Sequence, residues 1–262
     1  MENDDEQQGK EYSRPIVKVE ETGDATVIRL VRPDQRNALD LSMIRDLSQA
    51  IAQANQNPHT RCVVIKGASG NFCSGRDLNN ADELQRLGPV LEYDEAYISI
   101  FENLAALTKP SVAVVQGYAV AGGFTLAMAC DFVIAQANAQ FGALEMKHGF
   151  PAAVNTAVLA HRASPRFALE LLLSKQTVSA KRLAEMGLVN RVAEDEDELT
   201  DIADEFILAL TSLDPIAVKL TKETFHAACN MPYRDALTMA KQLNALLMTS
   251  GKIPGSRSSR TG

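Results

Sequence analysis

The sequence predicts an α/β protein in which strand-then-helix units form the core and the C-terminal third is all helix. Three observations predict it. The runs "CVVIKGA" (62–68) and "SVAVVQG" (111–117) are short, β-branched and bounded by turn residues, without polar alternation, as strands covered on both faces are. Stretches with apolar residues near helical period separate such runs. Beyond the acidic "AEDEDE" near residue 195, only helical patterns remain.

Taken in order, "IVKVEETGDATVIRLV" (16–31) alternates apolar and polar residues on both sides of Thr-Gly-Asp, which predicts a β-hairpin. "RPDQRNALD" leaves it as a loop. Leu41, Ile44, Leu47 and Ile51 share one helical face over 41–54, and Asp40 is placed to cap the first free N–H groups. A helix over "YDEAYISIFENLAAL" lies between the two buried strands, just before Pro110. "QGYAVAGGFTLAMACD" (116–131) is an apolar strand that runs into a glycine pair and emerges as a helix. "FVIAQ" (132–136) is another buried strand, and "ANAQFGALEMKHGFPAAVNT" reads as a loop. "PRFALELLLS" (165–174) and "SAKRLAEMG" (179–187) carry helix start signals, with Gly187 as a stop for the second. "LTDIADEFILALTSL", "PIAVKLTKETFHAA" and "RDALTMAKQLNALLM" complete the helical part, and no internal repeat is present. The expected organisation is a disordered acidic N-terminus (1–14), a core (15–195), a helical region (196–252) and a flexible tail (253–262).

Composition narrows the function. A chain of 262 residues that is 46% hydrophobic can bury a large core. Its 26 Lys+Arg against 33 Asp+Glu, a formal charge of -7, disfavour nucleic acid and anionic membrane as partners. Cys62, Cys73, Cys130 and Cys229 are scattered without CxxC spacing, so neither a disulfide framework nor a zinc site is expected. His59, His161 and His226 show no metal-ligand spacing, and no GxSxG is present. The polar, acidic opening and the lack of an apolar run of spanning length predict a cytoplasmic protein.

Three segments can carry chemistry. In "GNFCSGRDL" (70–78), Gly75 ends a strand and frees the amides that follow. In "AGGFTLAMAC", Gly122 and Gly123 start a helix whose first N–H groups have no intrahelical partner, an arrangement that binds phosphate or stabilises a developing oxyanion. The spacing matches neither GxGxxG nor GxxxxGK[ST]. Glu145 lies in a loop with Phe141, Leu144, Met146 and Phe150, where a carboxylate's pKa rises toward the range of a general acid or base. The residues alone leave two plainer readings open: a glycine pair also serves close packing, and a loop glutamate is usually solvated.

In their order, "RNALD", "FCSGRDL", "VQGYAVAGGFTLAMACDFVIA", "AQFGALEMKHG", "AKRLAEMGLVNRV" and "PIAVKLTKE" closely resemble the enoyl-CoA hydratase/isomerase, or crotonase, superfamily over residues 15–250. The resemblance implies a ClpP-like spiral of ββα units with a C-terminal helical region used in trimerisation, often as a dimer of trimers. It implies acyl-CoA as substrate, with coenzyme A entering as part of it and no prosthetic group or metal. It implies that the amides of Arg76 and Gly122 hold a thioester enolate oxygen and that Glu145 is the catalytic carboxylate. It further implies that Arg32, Arg36, Ala38 and Leu39 border the CoA pantetheine and phosphates, that Ser74, Asp77 and Leu78 cradle the adenine, and that Lys222 and Phe225 reach CoA from the C-terminal helices.

The chain departs from the family pattern in one place that matters. Hydratases of this superfamily carry a second glutamate on the helix after the glycines, and here that position is Thr125, which cannot act as a base near pH 7. The glycine pair expected in "GFPAAVNT" is also absent. His148, three residues after Glu145 at a place usually apolar in the family, reads more readily as a neutral structural histidine than as a group that tunes the glutamate or meets a polar acyl group. Single-glutamate relatives include enoyl-CoA isomerases and hydroxycinnamoyl-CoA hydratase-lyases, and a protein that binds acyl-CoA without catalysis is the remaining alternative. The stretch between Leu78 and Phe101 is expected to line the acyl pocket.

Overall fold

The computed structural model describes residues 15–79 and 86–249. The expected terminal segments 1–14 and 253–262, and residues 80–85 of the expected pocket stretch, lie outside the described residues. The chain divides into two compact units, the first ending at Ser212 and the second beginning at Leu213.

The first unit is built on a six-stranded sheet. Its strands in chain order are β1 (Val17–Thr22), β2 (Ala25–Leu30), β3 (Cys62–Gly67), β4 (Ser111–Val115), β6 (Phe132–Gln136) and β9 (Arg191–Ala193), and they also neighbour one another in that order. The hairpin β1–β2 is antiparallel with Val17 opposite Leu30 and Thr22 opposite Ala25, and every other pair is parallel. Burial on both faces explains the unbroken apolar runs. Val63, Ile65, Ala113 and Val115 face one core, and Cys62, Val64 and Val112 the other.

Helices α1 (Leu41–Gln56), α2 (Leu87–Ala105) and α3 (Gly122–Ala129) belong to the first core. The carboxylate of Asp40 accepts from the Met43 N–H at 2.7 Å and caps α1. Helix α2 begins six residues before the expected start, because none of its first six residues is buried to mark it; Tyr93 is the first that is. The other core is covered by α7 (Glu196–Thr211), whose Leu199 and Ala203 are buried against β3, β4 and β6. This helix, which the sequence groups with the C-terminal helices, packs on the sheet of the first unit.

A second sheet of three short strands, β5 (Tyr118–Val120), β7 (Gln140–Gly142) and β8 (Val178–Ser179), runs in that order. Strand β7 falls inside the stretch expected to be a loop, as does a 3-10 turn over Leu144–His148. The same stretch leads into α4 (Ala153–Arg162), which the sequence reading leaves out. Helices α5 (Pro165–Leu173) and α6 (Ala180–Glu185) follow as expected, and Gly187 takes φ +78° after α6. In the second unit, α8 (Pro215–Ala228) is capped by Asp214, and α9 (Tyr233–Thr249) follows. No helix among the described residues is long and apolar enough to cross a membrane.

Candidate active site

Two pairings bring the distant glycine segments together. Cys73 pairs with Ala119 on β5, through its N–H to the Tyr118 carbonyl at 2.9 Å and its carbonyl to the Val120 N–H at 3.1 Å. Three residues on, Arg76 pairs with Leu39: the Leu39 N–H donates to the Gly75 carbonyl at 2.8 Å and the Asp77 N–H to the Leu39 carbonyl at 2.9 Å. In such a parallel bridge the central residue's own N–H points away from the partner, so the Arg76 N–H faces the opposite side from Leu39.

That side holds the start of α3. Gly75 has φ +93°, and a Cβ on it would lie 2.9 Å from the Gly122 nitrogen and 2.9 Å from the Ala121 Cβ. Gly75 must therefore be glycine both for its backbone conformation and for the approach to Gly122. A Cβ on Gly123 would strike the Cys73 carbonyl, so the helix start is seated directly on this loop. Gly122 is the first residue of α3 and has no intrahelical acceptor for its N–H.

Ala121 sets the direction of that N–H. It sits at φ +48°, ψ -121°, a conformation L-residues avoid, and its N–H donates to the Gly142 carbonyl at 2.8 Å. Holding alanine there costs of order 1–3 kcal/mol. Its carbonyl accepts from the Thr125 N–H at 3.1 Å and the Thr125 hydroxyl at 3.2 Å. The peptide is planar and trans, so the Gly122 N–H leaves in the opposite direction, out of the helix end.

Glu145 enters from the 3-10 turn. Its Oε1 accepts from the Asn155 carboxamide at 2.9 Å, and the same NH₂ group donates to the Ala121 carbonyl at 3.3 Å. One amide thus ties the carboxylate to the peptide bond that carries the Gly122 N–H. Glu145 Oε2 and Asn155 Oδ1 are buried and have no hydrogen-bond partner among the described residues. Burial pushes the Glu145 carboxyl above the ordinary glutamate range, against the opposing pull of its own N–H and of Asn155.

Thr125 is 1% exposed, beside Tyr97, whose hydroxyl donates to the Gly122 carbonyl at 3.1 Å. A Cβ on Gly122 would come within 2.9 Å of that hydroxyl. Burial raises the Tyr97 pKa, so the phenol stays protonated and a donor. Asn155 is absent from the sequence-derived site, and Tyr97 enters it only as one of the residues between Leu78 and Phe101. An aromatic at helical spacing reads as core, and Asn155 lies where the sequence reads as loop.

The other expected residues are arranged differently. The Arg32 guanidinium donates to the Ala38 carbonyl at 2.6 Å and to Asp77 at 2.8 Å, with Asp40 at 3.4 Å. Burial favours the neutral form of Asp77, but the Arg32 and Asn79 hydrogen bonds outweigh it and hold its carboxyl below the usual range. Ala38 and Leu39 are buried, and Ser74 donates through its hydroxyl to the Gln35 carbonyl. Arg36, at φ +51°, lies over the Tyr118 ring, and Leu78 is exposed. The Arg76 side chain stacks 3.6 Å from the Tyr93 ring centre and bonds Asp94 at 3.1 Å. His148 is exposed at the end of the 3-10 turn, and Lys222 and Phe225 lie on α8 in the second unit. A cavity of about 630 Å³ between α7 and the sheet is lined by none of these site residues. No group of His, Cys, Asp or Glu among the described residues could hold a metal ion.

Comparison with known proteins gives one family. The profile described as enoyl-CoA hydratase/isomerase matches residues 20–257. The enoyl-CoA hydratase EchA19 of Mycobacterium tuberculosis is 31% identical over 241 residues, covering 91% of this chain and 90% of that protein. The (E)-benzylidenesuccinyl-CoA hydratase of Thauera aromatica is 30% identical over 242 residues, 88% and 90% of the two chains. The crystal structure of an enoyl-CoA hydratase from Bacillus anthracis superposes with a TM-score of 0.85 at 28% identity, covering 90% of this chain and 92% of that one. The expected crotonase-type fold is the fold observed.

Proposed function

The chain belongs to the enoyl-CoA hydratase/isomerase family, and we propose that it converts an unsaturated acyl-CoA thioester, with Glu145 as its one acid/base and the N–H groups of Gly122 and Arg76 as donors to the thioester oxygen. The observation that carries this reading is the Asn155 amide bonded at once to Glu145 and to the Ala121 carbonyl, which sets a buried carboxylate one peptide unit from a helix N-terminus. When a base or a nucleophile attacks the acyl chain, charge builds on the thioester oxygen. Donors already aimed at that point stabilise it without reorganising, each worth about 10²–10³ in rate.

The raised pKa of Glu145 suits a group that must both take up and give back a proton. Thr125 spends its hydroxyl hydrogen on the Ala121 carbonyl and shapes the pocket rather than acting as a base. Around Arg32, the pair with Asp77 forms a rigid wall, while exposed Arg36 and Leu78 are offered to the CoA moiety. Incubation with crotonyl-CoA and cinnamoyl-CoA, followed by mass spectrometry, tests the reading. A mass gain of one water or an isomeric product is expected, and binding of both thioesters without conversion would favour a non-catalytic acyl-CoA protein.

We further propose that the protein self-associates through its second unit, where Phe225, Leu237 and Leu246 expose large apolar side chains. Light scattering is expected to give a trimer or hexamer mass, and a monomer would overturn this.

A further inference from the structure

We propose that Asn155 is the second arm of a water seat: its Oδ1 and Glu145 Oε2 accept the two hydrogens of one water molecule, so that hydration proceeds here with one carboxylate and one carboxamide. This rests on the reading of Glu145 as the base. The amide's orientation is settled by its neighbours. Its nitrogen faces two acceptors, the Ala121 carbonyl and Glu145 Oε1, so the flipped form would set oxygen against oxygen.

Two acceptors of a mutually bonded pair are then left over, both buried and unpartnered, on a side chain only 1% exposed in the case of Asn155. The two neighbouring hydroxyls are spent elsewhere. The Thr125 hydroxyl donates to Ala121 and the Tyr97 hydroxyl to Gly122. An unsatisfied buried acceptor costs about 1–3 kcal/mol, so a mutually bonded pair that strands one acceptor on each side chain is built for a ligand with two donors. Water is the smallest such ligand. With both hydrogens engaged, its lone pairs remain free to attack, whereas proton shuttling alone would leave Oδ1 without a role.

In the step itself, the water oxygen bonds to the β-carbon as Glu145 Oε2 takes one of its protons. The C=C π pair moves onto the thioester oxygen, and the enolate then takes the proton from Glu145 at the α-carbon. One C–O and one C–H bond form, one O–H bond and the π bond break, and the other water hydrogen stays on the product hydroxyl.

Two reactions separate this role from mere positioning of Glu145. Hydration of crotonyl-CoA or cinnamoyl-CoA needs the water; exchange of the α-hydrogen of butyryl-CoA in D₂O needs only the base and the oxygen donors. Asn155→Ala is expected to lower hydration about 10²-fold and exchange less than about tenfold. Asn155→Asp keeps an acceptor in place of Oδ1 but sets an oxygen against Glu145 Oε1 and the Ala121 carbonyl, so both reactions are expected to fall while the hydration-to-exchange ratio stays within about threefold of the wild type; that ratio decides the matter if the alanine variant does not fold. An equal fall of both reactions in Asn155→Ala, a collapsed ratio in Asn155→Asp, or a wild type that exchanges butyryl-CoA yet hydrates neither enoyl thioester would overturn the proposal. Failure of the underlying reading looks different: the wild type would then show no Glu145-dependent exchange.

Discussion

Arg32 and Glu145 are both charged side chains drawn away from solvent in the same unit, and they are held in opposite ways. The Arg32 guanidinium has an acceptor on each arm, and its main partner Asp77 is shifted toward the charged form. Glu145 has a side-chain donor on one oxygen only, is bonded to an amide that carries a second orphaned acceptor, and is shifted toward the neutral form. A saturated cluster holds two loops together and asks nothing of a ligand. An unsaturated one keeps a destabilised group in place because something outside the chain completes it. By this contrast the Arg32 cluster is structural in the first instance and the Glu145 cluster is chemical.

The contrast is broken most sharply at Gly75. Gly75→Ala sets a methyl against the Gly122 nitrogen and, on this account, lowers turnover of an enoyl-CoA thioester about 10²–10³-fold. Gly70→Ala is the control: Gly70 also has positive φ, but nothing among the described residues lies within 4 Å of the added methyl, so it carries the backbone penalty without touching the site.

At the saturated end the larger effect falls on stability. Arg32→Ala strands Asp77 and the Ala38 carbonyl and is expected to cost about 2 kcal/mol, a fall in Tm of roughly 4–8 °C. The sign with pH follows from Asp77. Its folded pKa is depressed, so the pair stabilises the protein above the ordinary aspartate range and ceases to do so as pH falls through the folded value. The gap in Tm between wild type and variant should close in acid and be full at neutral pH. A gap that widens in acid would mean that Asp77 is not what Arg32 holds.

The sequence made the Glu145 end partly legible. Glycines and a helix start are backbone signals, and the segments around Gly75 and Gly122 do meet, because Cys73 and Arg76 each find a strand partner. What escaped has a physical reason. Strands of two or three residues, such as β7 to β9, are too short to show alternation. Helix α4 starts without a side-chain cap, so "AAVNT" reads as loop and Asn155 within it as ordinary. Tyr97 differs from a core tyrosine only in what its hydroxyl meets, which no spacing reveals. On the other side, the family resemblance sets Arg32 beside the CoA pantetheine and phosphates, and only the structure shows its hydrogen bonds already given to Ala38 and Asp77.

The most direct test of the account is the rate at which Glu145→Gln exchanges the α-hydrogen of butyryl-CoA in D₂O, a reaction that needs the enolate and nothing else. The wild type is expected to take up deuterium at the α-carbon, and the variant, with CoA-thioester binding retained, to exchange at least about 10²–10⁴-fold more slowly. Exchange at the wild-type rate by Glu145→Gln would contradict the assignment of the single carboxylate.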